Sequence, residues 1–258
     1  MPKSYRVLVT NDDGIHSPGL TVAQNIARAI SDDVWVVAPE NEQSGASHSL
    51  TLSAPLRMRK MDDRHYAVSG TPTDCVMMGC LHLLKDKMPG LIISGVNWGS
   101  NLADDVTYSG TIAGAMEGCA LNIPSIALSQ SYDESSRLEI DWSAGEVHGA
   151  DVVKKLVAAG WPAGTLMNVN FPACPAAEVK GIAVVPQGKY DLQSTEIEER
   201  TDSRQRAYYW IGLRRRRATP PENSDLGAVY AGKIAVTPLH LNLTERSVLD
   251  ALRARLGQ

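Results

Sequence analysis

Short runs rich in β-branched residues alternate with longer stretches of helical period through the first two thirds of the chain. Arg6–Thr10 (RVLVT) and Val34–Ala38 (VWVVA) read as buried strands, and Leu91–Ser94, Ser125–Leu128 and Leu166–Asn170 repeat the pattern. Pro18–Ile30 sets Leu20, Ala23, Ile26, Ala27 and Ile30 on one helical face, and Ile112–Leu121 and Trp142–Ala159 are also read as helices. Thr71-Pro72-Thr73-Asp74 joins a capping hydroxyl, a first-turn proline and an acidic residue three positions on. It predicts a helix to about Leu84, ending before Pro89-Gly90. Such alternation builds an α/β fold: a mainly parallel sheet with helices on both faces. Ligands of these folds gather at the carboxyl ends of the strands, so the loops after Thr10, Ala38 and Ser94 are where chemistry is expected.

Beyond about residue 178 the helical period fades. Gly181–Val185, Ala207–Ile211 and Lys233–Thr237 look like strands, and Glu245–Leu256 like a last helix capped by Thr244. Asp191–Asp202 is acidic, and Arg214–Arg217 is a run of four arginines. The expected organisation is a catalytic core over 1–178 and a β-rich arm with a terminal helix over 179–258, within one structural unit.

The 258 residues carry 25 Lys and Arg against 29 Asp and Glu, a net charge of −4. A protein that coats nucleic acid would show a basic excess. Cys75, Cys80, Cys119 and Cys174 have neither Cys-x-x-Cys nor zinc-finger spacing, and buried reduced thiols are expected. No apolar run approaches the roughly 18 residues of a membrane span, and no signal-peptide core follows Met1, so a cytoplasmic protein is expected. Gly-x-Gly-x-x-Gly, the P-loop, His-Glu-x-x-His and Gly-x-Ser-x-Gly are all missing, which disfavours ordinary dinucleotide, P-loop, zincin and serine-hydrolase chemistry.

The first strand ends in Asn11-Asp12-Asp13-Gly14. Two adjacent carboxylates repel unless something positive lies between them, and Mg²⁺ or Mn²⁺ is the economical answer; an exposed, inert turn is the alternative. After the second strand, Pro39–Ser49 is long, polar and built of small residues that let a phosphate or a metal approach. A plain surface loop has the same composition. Ser94-Gly95-Val96-Asn97 leads to Asn101 and then to Ser109-Gly110-Thr111 at a helix start, where free N–H groups, hydroxyls and the helix dipole suit an anion, or simply cap a helix. Three such loops on one sheet edge jointly favour a metal-plus-phosphate site.

These residues, with Ser44-Gly45-Ala46-Ser47, Gly70–Val76, Asn101–Val106, Tyr108–Thr111, Ala115–Gly118, Asn168–Pro172, Tyr209–Gly212 and Val236–Leu239, resemble the SurE (stationary-phase survival) nucleotidase family from residue 6 to about 243. The resemblance implies a cytoplasmic, divalent-metal-dependent phosphatase of nucleoside 5′- and 3′-monophosphates, with short polyphosphate as a further substrate. It implies a Rossmann-like core and a C-terminal β-hairpin and helix exchanged between the subunits of a homodimer or homotetramer. By motif, one Mg²⁺ or Mn²⁺ per subunit is held by Asp12, Asp13, Ser44 and Asn97, with Ser44, Asn101, Ser109, Gly110 and Thr111 around the phosphate. Asp12, Asp13 and Asn97 are the catalytic candidates, and neither His16 nor His48 is given a role.

Direct attack by water is the expected route. A covalent route through Asp12 or Asp13 ranks second, because two carboxylates chelating one cation leave neither free to attack. Two other classes remain in view: a nucleotide sensor without catalysis, and an RNA-binding protein using Arg204, Arg206 and Arg214–Arg217. No stable nucleic-acid partner and no membrane are expected.

Overall fold

The computed structural model describes residues 5–133, 140–190, 193–215 and 220–257. Strand β1 (Val7–Thr10) leads to helix α1 (Pro18–Arg28) and strand β2 (Val34–Pro39). Strands β3 (Met58–Lys60) and β4 (His65–Val68) precede helix α2 (Pro72–Met77), which widens into a π-helical stretch, Met78–Leu83. Then come β5 (Leu91–Trp98), a 3-10 turn at Ala103–Thr107, α3 (Gly110–Ala120), β6 (Ser125–Gln130), α4 (Ser143–Ala159) and β7 (Thr165–Phe171). The chain closes with β8 (Ile182–Val184), β9 (Gln193–Thr201), β10 (Ala207–Arg215), α5 (Asp225–Tyr230), β11 (Ile234–His240) and α6 (Arg246–Arg255).

Nine strands form one sheet in the order β3-β4-β2-β1-β5-β6-β7-β11-β8, and β9 and β10 form a separate ribbon. From β4 to β7 every neighbouring pair is parallel, whereas β3 against β4 and β11 against β7 are antiparallel. The α/β reading of the sequence therefore holds. Successive residues of β1 divide between the two faces: Val7 and Val9 pack with α1 and α4, and Leu8 packs with α2. Both sides are buried, which is why the parallel strands are near-continuous apolar runs.

The expected capping box is present: Thr71 Oγ1 accepts from Asp74 N, and Asp74 Oδ2 accepts from Thr71 N. Past residue 178, β8 and β11 join the main sheet beside β7, while the β9–β10 ribbon and α6 stand outside it. Within the acidic stretch, Gln193–Thr201 forms β9, paired across nine residues with β10. Ile197, Tyr209, Trp210 and Ile211 are all exposed, so these positions show no buried face that would impose an alternating pattern. The last helix is capped by the Glu245 carboxylate, which accepts from Ser247 N, rather than by Thr244. Of the four arginines, Arg214 and Arg215 end β10, while Arg216 and Arg217 lie outside the described residues.

Candidate active site

Strand order reverses between β1 and β5: the chain leaves β1 toward β2 on one side and β5 toward β6 on the other. The crevice at such a reversal is where open α/β sheets bind ligands. Asp12 and Asp13 follow β1, Ser44 follows β2, and Asn97 lies at the end of β5. Between Ser94 and Asn97 the β5–β6 register shifts, and Gly95 takes φ +129° there, where a Cβ would lie only 2.2 Å from the Leu128 carbonyl oxygen. A side chain at 95 would push the two strands apart and carry Asn97 out of place.

Asp12 is only 4% exposed, and its Oδ1 accepts a 2.5 Å hydrogen bond from the Thr111 hydroxyl on α3. The helix comes this close because residue 110 is glycine: a Cβ would fall 2.7 Å from Asp12 Cβ and 2.9 Å from Oδ2. Burial pushes the Asp12 carboxyl up to about 7, the Asp13 charge adds to this, and the Thr111 hydrogen bonds pull it back. Burial also raises Asp13; the Trp98 N–H, donating to Asp13 Oδ2 at 3.1 Å, opposes this, and the Glu42 charge reinforces it.

No cation answers these two carboxylates: every ion pair among the described residues lies elsewhere. Nor, among those residues, does a third His, Cys, Asp or Glu join them as a metal cluster. The remaining donors are neutral oxygens. Ser44 Oγ donates to Glu42 Oε1 at 2.8 Å and keeps its lone pairs, and Asn97 Nδ2 donates to the Gly99 carbonyl at 2.8 Å, which leaves Oδ1 as the outward acceptor. Two carboxylates, a hydroxyl and an amide oxygen make a hard, all-oxygen set with two negative charges to neutralise. That set fits a divalent cation with positions left over for substrate.

Asp12, Ser44, Asn97, Asn101 and Ser109 line a single cavity of about 930 Å³, while Asp13 faces a neighbouring one that shares Ser44 and Trp98. Gly110 and Thr111 are buried and do not reach the cavity wall. The family motif puts Thr111 at the phosphate; in the structure its hydroxyl donates to Asp12. Ser109 Oγ caps α3 by accepting from Ile112 N at 3.0 Å, which leaves its own proton to donate into the cavity.

Asn101 is held from all sides. Its N–H donates to Asn170 Oδ1, its Nδ2 to Ser129 Oγ, and its carbonyl accepts from Asn168 Nδ2, each at 2.8 Å. Single motifs do not assign Asn168 and Asn170 this task, although two asparagines two apart in an apolar strand are a signal for it. Asp225 is likewise unassigned by motif. Fully buried, it accepts from the N–H groups of Ala103, Gly188 and Leu226 and so ties the tail to the loop after Asn101. The far wall of the cavity, with Tyr132, Glu178, Lys180, Tyr190 and Tyr230, mixes aromatic faces with polar tips, a lining suited to a nucleoside.

The family profile described as Survival protein SurE matches residues 7–194. A protein of Parvibaculum lavamentivorans named 5′-nucleotidase SurE is 54% identical over 255 residues, covering 99% of this chain and 92% of its own. Another of that name from Brucella anthropi is 55% identical over 253 residues, covering 98% and 97%. The crystal structure of the SurE protein from Aquifex aeolicus superimposes with a TM-score of 0.82 at 40% identity, over 96% of this chain and 98% of that one.

Proposed function

The chain belongs to the SurE family, and we propose that its nucleotidase activity is a divalent-metal-dependent hydrolysis of nucleoside 5′- and 3′-monophosphates to nucleoside and phosphate. The observation that carries the metal is the buried Asp12 beside Asp13, uncompensated by any cation among the described residues and opening on a cavity large enough for a nucleotide. Short polyphosphate is a further substrate of the same chemistry.

Asp12, Asp13, Ser44 and Asn97 would hold one Mg²⁺ or Mn²⁺, which when bound supplies charge neutralisation and Lewis acidity. By donating to Asp12, Thr111 favours its ionised form against the effect of burial and aims the carboxylate. Ser109 and the amino end of α3 present a hydroxyl proton and the positive pole of an eleven-residue helix to the phosphoryl oxygens. The buried asparagine network holds Asn101 rigid beside them. Positioned dipoles of this kind matter more than covalent chemistry in phosphoryl transfer, and such a donor is typically worth about 2.7–4 kcal/mol in the transition state. With both carboxylates committed to the cation, water is the attacking group.

The assembly reading rests on the ribbon. Two strands alone are marginally stable, yet β9–β10 exposes Ile197, Tyr209, Trp210 and Ile211, and α6 with the residue that follows it exposes Val248, Leu252 and Leu256 at four-residue spacing. A second copy that exchanges these elements would cover both, giving a homodimer or a homotetramer. No helix among the described residues is long and apolar enough to cross a membrane; cytoplasmic residence is part of the proposal.

A nucleotide panel assayed for phosphate release with Mg²⁺, Mn²⁺ or EDTA tests the reading. Release that requires the cation and is lost in Asp12→Asn and Asp13→Asn is the expected result. Undiminished release in EDTA would refute the metal; no release from any nucleotide would favour a sensor.

A further inference from the structure

Ser44 is the one proposed metal ligand that sits on an exposed loop, within the long connection between β2 and β3. Its hydroxyl can act only if that loop is held against the strand tips. The chain shows how this is done. Just before Ser44, Gln43 N donates to the Asp12 carbonyl at 2.8 Å, fastening the loop to the end of β1. Just after it, Ser47 N donates to the Tyr108 carbonyl at 3.2 Å and Ser47 Oγ to the Thr107 carbonyl at 2.8 Å. One residue further, His48 Nε2 meets Glu117 Oε2 at 3.1 Å.

The last contact differs from the others because its partner is on α3 itself, the helix that carries Thr111 beneath Asp12. That helix is seated hard on the sheet: a Cβ at Gly118 would fall 2.3 Å from Ser125 Oγ and one at Gly114 2.8 Å from Ser94 Oγ. Glu117 is therefore a fixed post, and at 13% side-chain exposure it is better shielded than an ordinary surface carboxylate; His48 is 35% exposed. Thr111 and Glu117 lie six positions apart on one rigid element, so the same helix sets Asp12 from one point and the Ser44 loop from another.

We infer that the His48–Glu117 pair is a latch that positions Ser44, making His48 and Glu117 positioning residues for the metal site. The inference rests on Ser44 being a ligand, as proposed above. A half-exposed pair contributes little to global stability. Its effect is local, on the fraction of time the loop spends closed, and only that fraction is available to bind a cation.

The test uses the full chain freed of metal. Hydrogen exchange at the amides of residues 44–48 and calorimetric titration with Mn²⁺ alone are measured for wild type, His48→Ala, His48→Gln, Glu117→Gln and the double variant His48→Ala/Glu117→Gln. Each single change should speed exchange and weaken Mn²⁺ binding about two- to fivefold, the fold-change of one such pair, with an unaltered global unfolding midpoint. The double variant should be no worse than either single one. Unchanged exchange in both His48 variants, or additive losses in the double variant, overturns the latch. Faster exchange with unchanged Mn²⁺ affinity overturns the positioning of Ser44. If wild type binds no Mn²⁺ while exchange still responds, the metal reading fails and the latch stands.

Discussion

Thr111→Val separates the chemistry of Asp12 from the packing of α3. Valine keeps the shape of a fully buried side chain and removes only the hydroxyl that donates to Asp12 Oδ1. A hydrogen bond to a charged group is worth about 1.5–3 kcal/mol, and without it the Asp12 carboxyl, already pushed up to about 7 by burial and by Asp13, should rise further. A folded-state value above the unfolded one of about 3.9 means that the metal-free protein is most stable below that pH. Stability then falls as pH rises through the folded value, about 7 for wild type, and levels off beyond it. In Thr111→Val the fall should extend to higher pH than in wild type. Mn²⁺ must displace that proton, so affinity at pH 7 should drop about 5- to 50-fold and return to within about twofold of wild type near pH 9. Calorimetric Mn²⁺ titrations from pH 6 to pH 9, beside denaturant melts of the metal-free protein, follow both effects. A variant whose affinity runs parallel to wild type at every pH would refute the idea that Thr111 acts by keeping Asp12 ionised.

Four other outcomes follow from the same geometry. Gly110→Ala should cost about 1–3 kcal/mol in a urea melt and most of the phosphate release, because its Cβ falls 2.7 Å from Asp12 Cβ; wild-type turnover would show that the close approach is dispensable. Asp12→Asn should abolish metal-dependent turnover yet stabilise the metal-free protein above pH 7, by up to about 4 kcal/mol if all the strain of the buried charge is relieved. A metal-free melt at pH 8 that shows destabilisation would contradict this. Asp225→Ala should destabilise by about 3 kcal/mol or more, since three N–H groups lose their acceptor in a fully buried place; a change within 0.5 kcal/mol would mean that water replaces the carboxylate at about the same free energy. Ile211→Glu should reduce the assembly measured by light scattering, with β10 no longer coverable by an apolar partner surface, and an unaltered mass would remove the ribbon from the interface.

The parallel sheet was legible because its strands are buried on both faces, which writes burial directly into the sequence as VLVT and VWVVA. The ribbon was not, for the opposite reason. Ile197, Tyr209, Trp210 and Ile211 are exposed rather than packed in the core, so glutamates and arginines could alternate with aromatics without any one-chain pattern emerging. At the site, the acidic pair and the small-residue loops were readable as residue types that an anion or a cation needs. Which of them touch each other was not readable. Thr111 in a Ser-Gly-Thr helix start is as suitable for a phosphate as for a carboxylate, and only the approach of α3 to β1, permitted by Gly110, decides for Asp12. The asparagines of β7 were visible but silent for the same reason: their partner, Asn101, is some seventy residues earlier in the chain.

A net charge of −4 is an unpromising start for a protein that handles phosphate esters, and the fold resolves this by locality. At roughly 8 Å of screening length under physiological salt, surface carboxylates elsewhere on the molecule contribute little to the potential felt at the end of β1. What the substrate meets there is set by a few groups. Asp12 and Asp13 would repel a phosphate as they stand, and burial magnifies that repulsion because water is kept away. The same burial would favour a divalent cation, which would remove an electrostatic cost the fold already carries. Once the two charges are cancelled, the amino end of α3 and the Ser109 hydroxyl are the dominant dipoles in view, and both attract an anion. On the proposed metal reading, a cation would switch the site from anion-repelling to anion-binding, so metal and nucleotide should bind in order. Affinity for a non-hydrolysable phosphonate analogue of a nucleotide, measured on the wild-type chain, should be at least about tenfold weaker in EDTA than with Mg²⁺ or Mn²⁺, and equal affinities would show that the phosphate is held without help from the carboxylate pair.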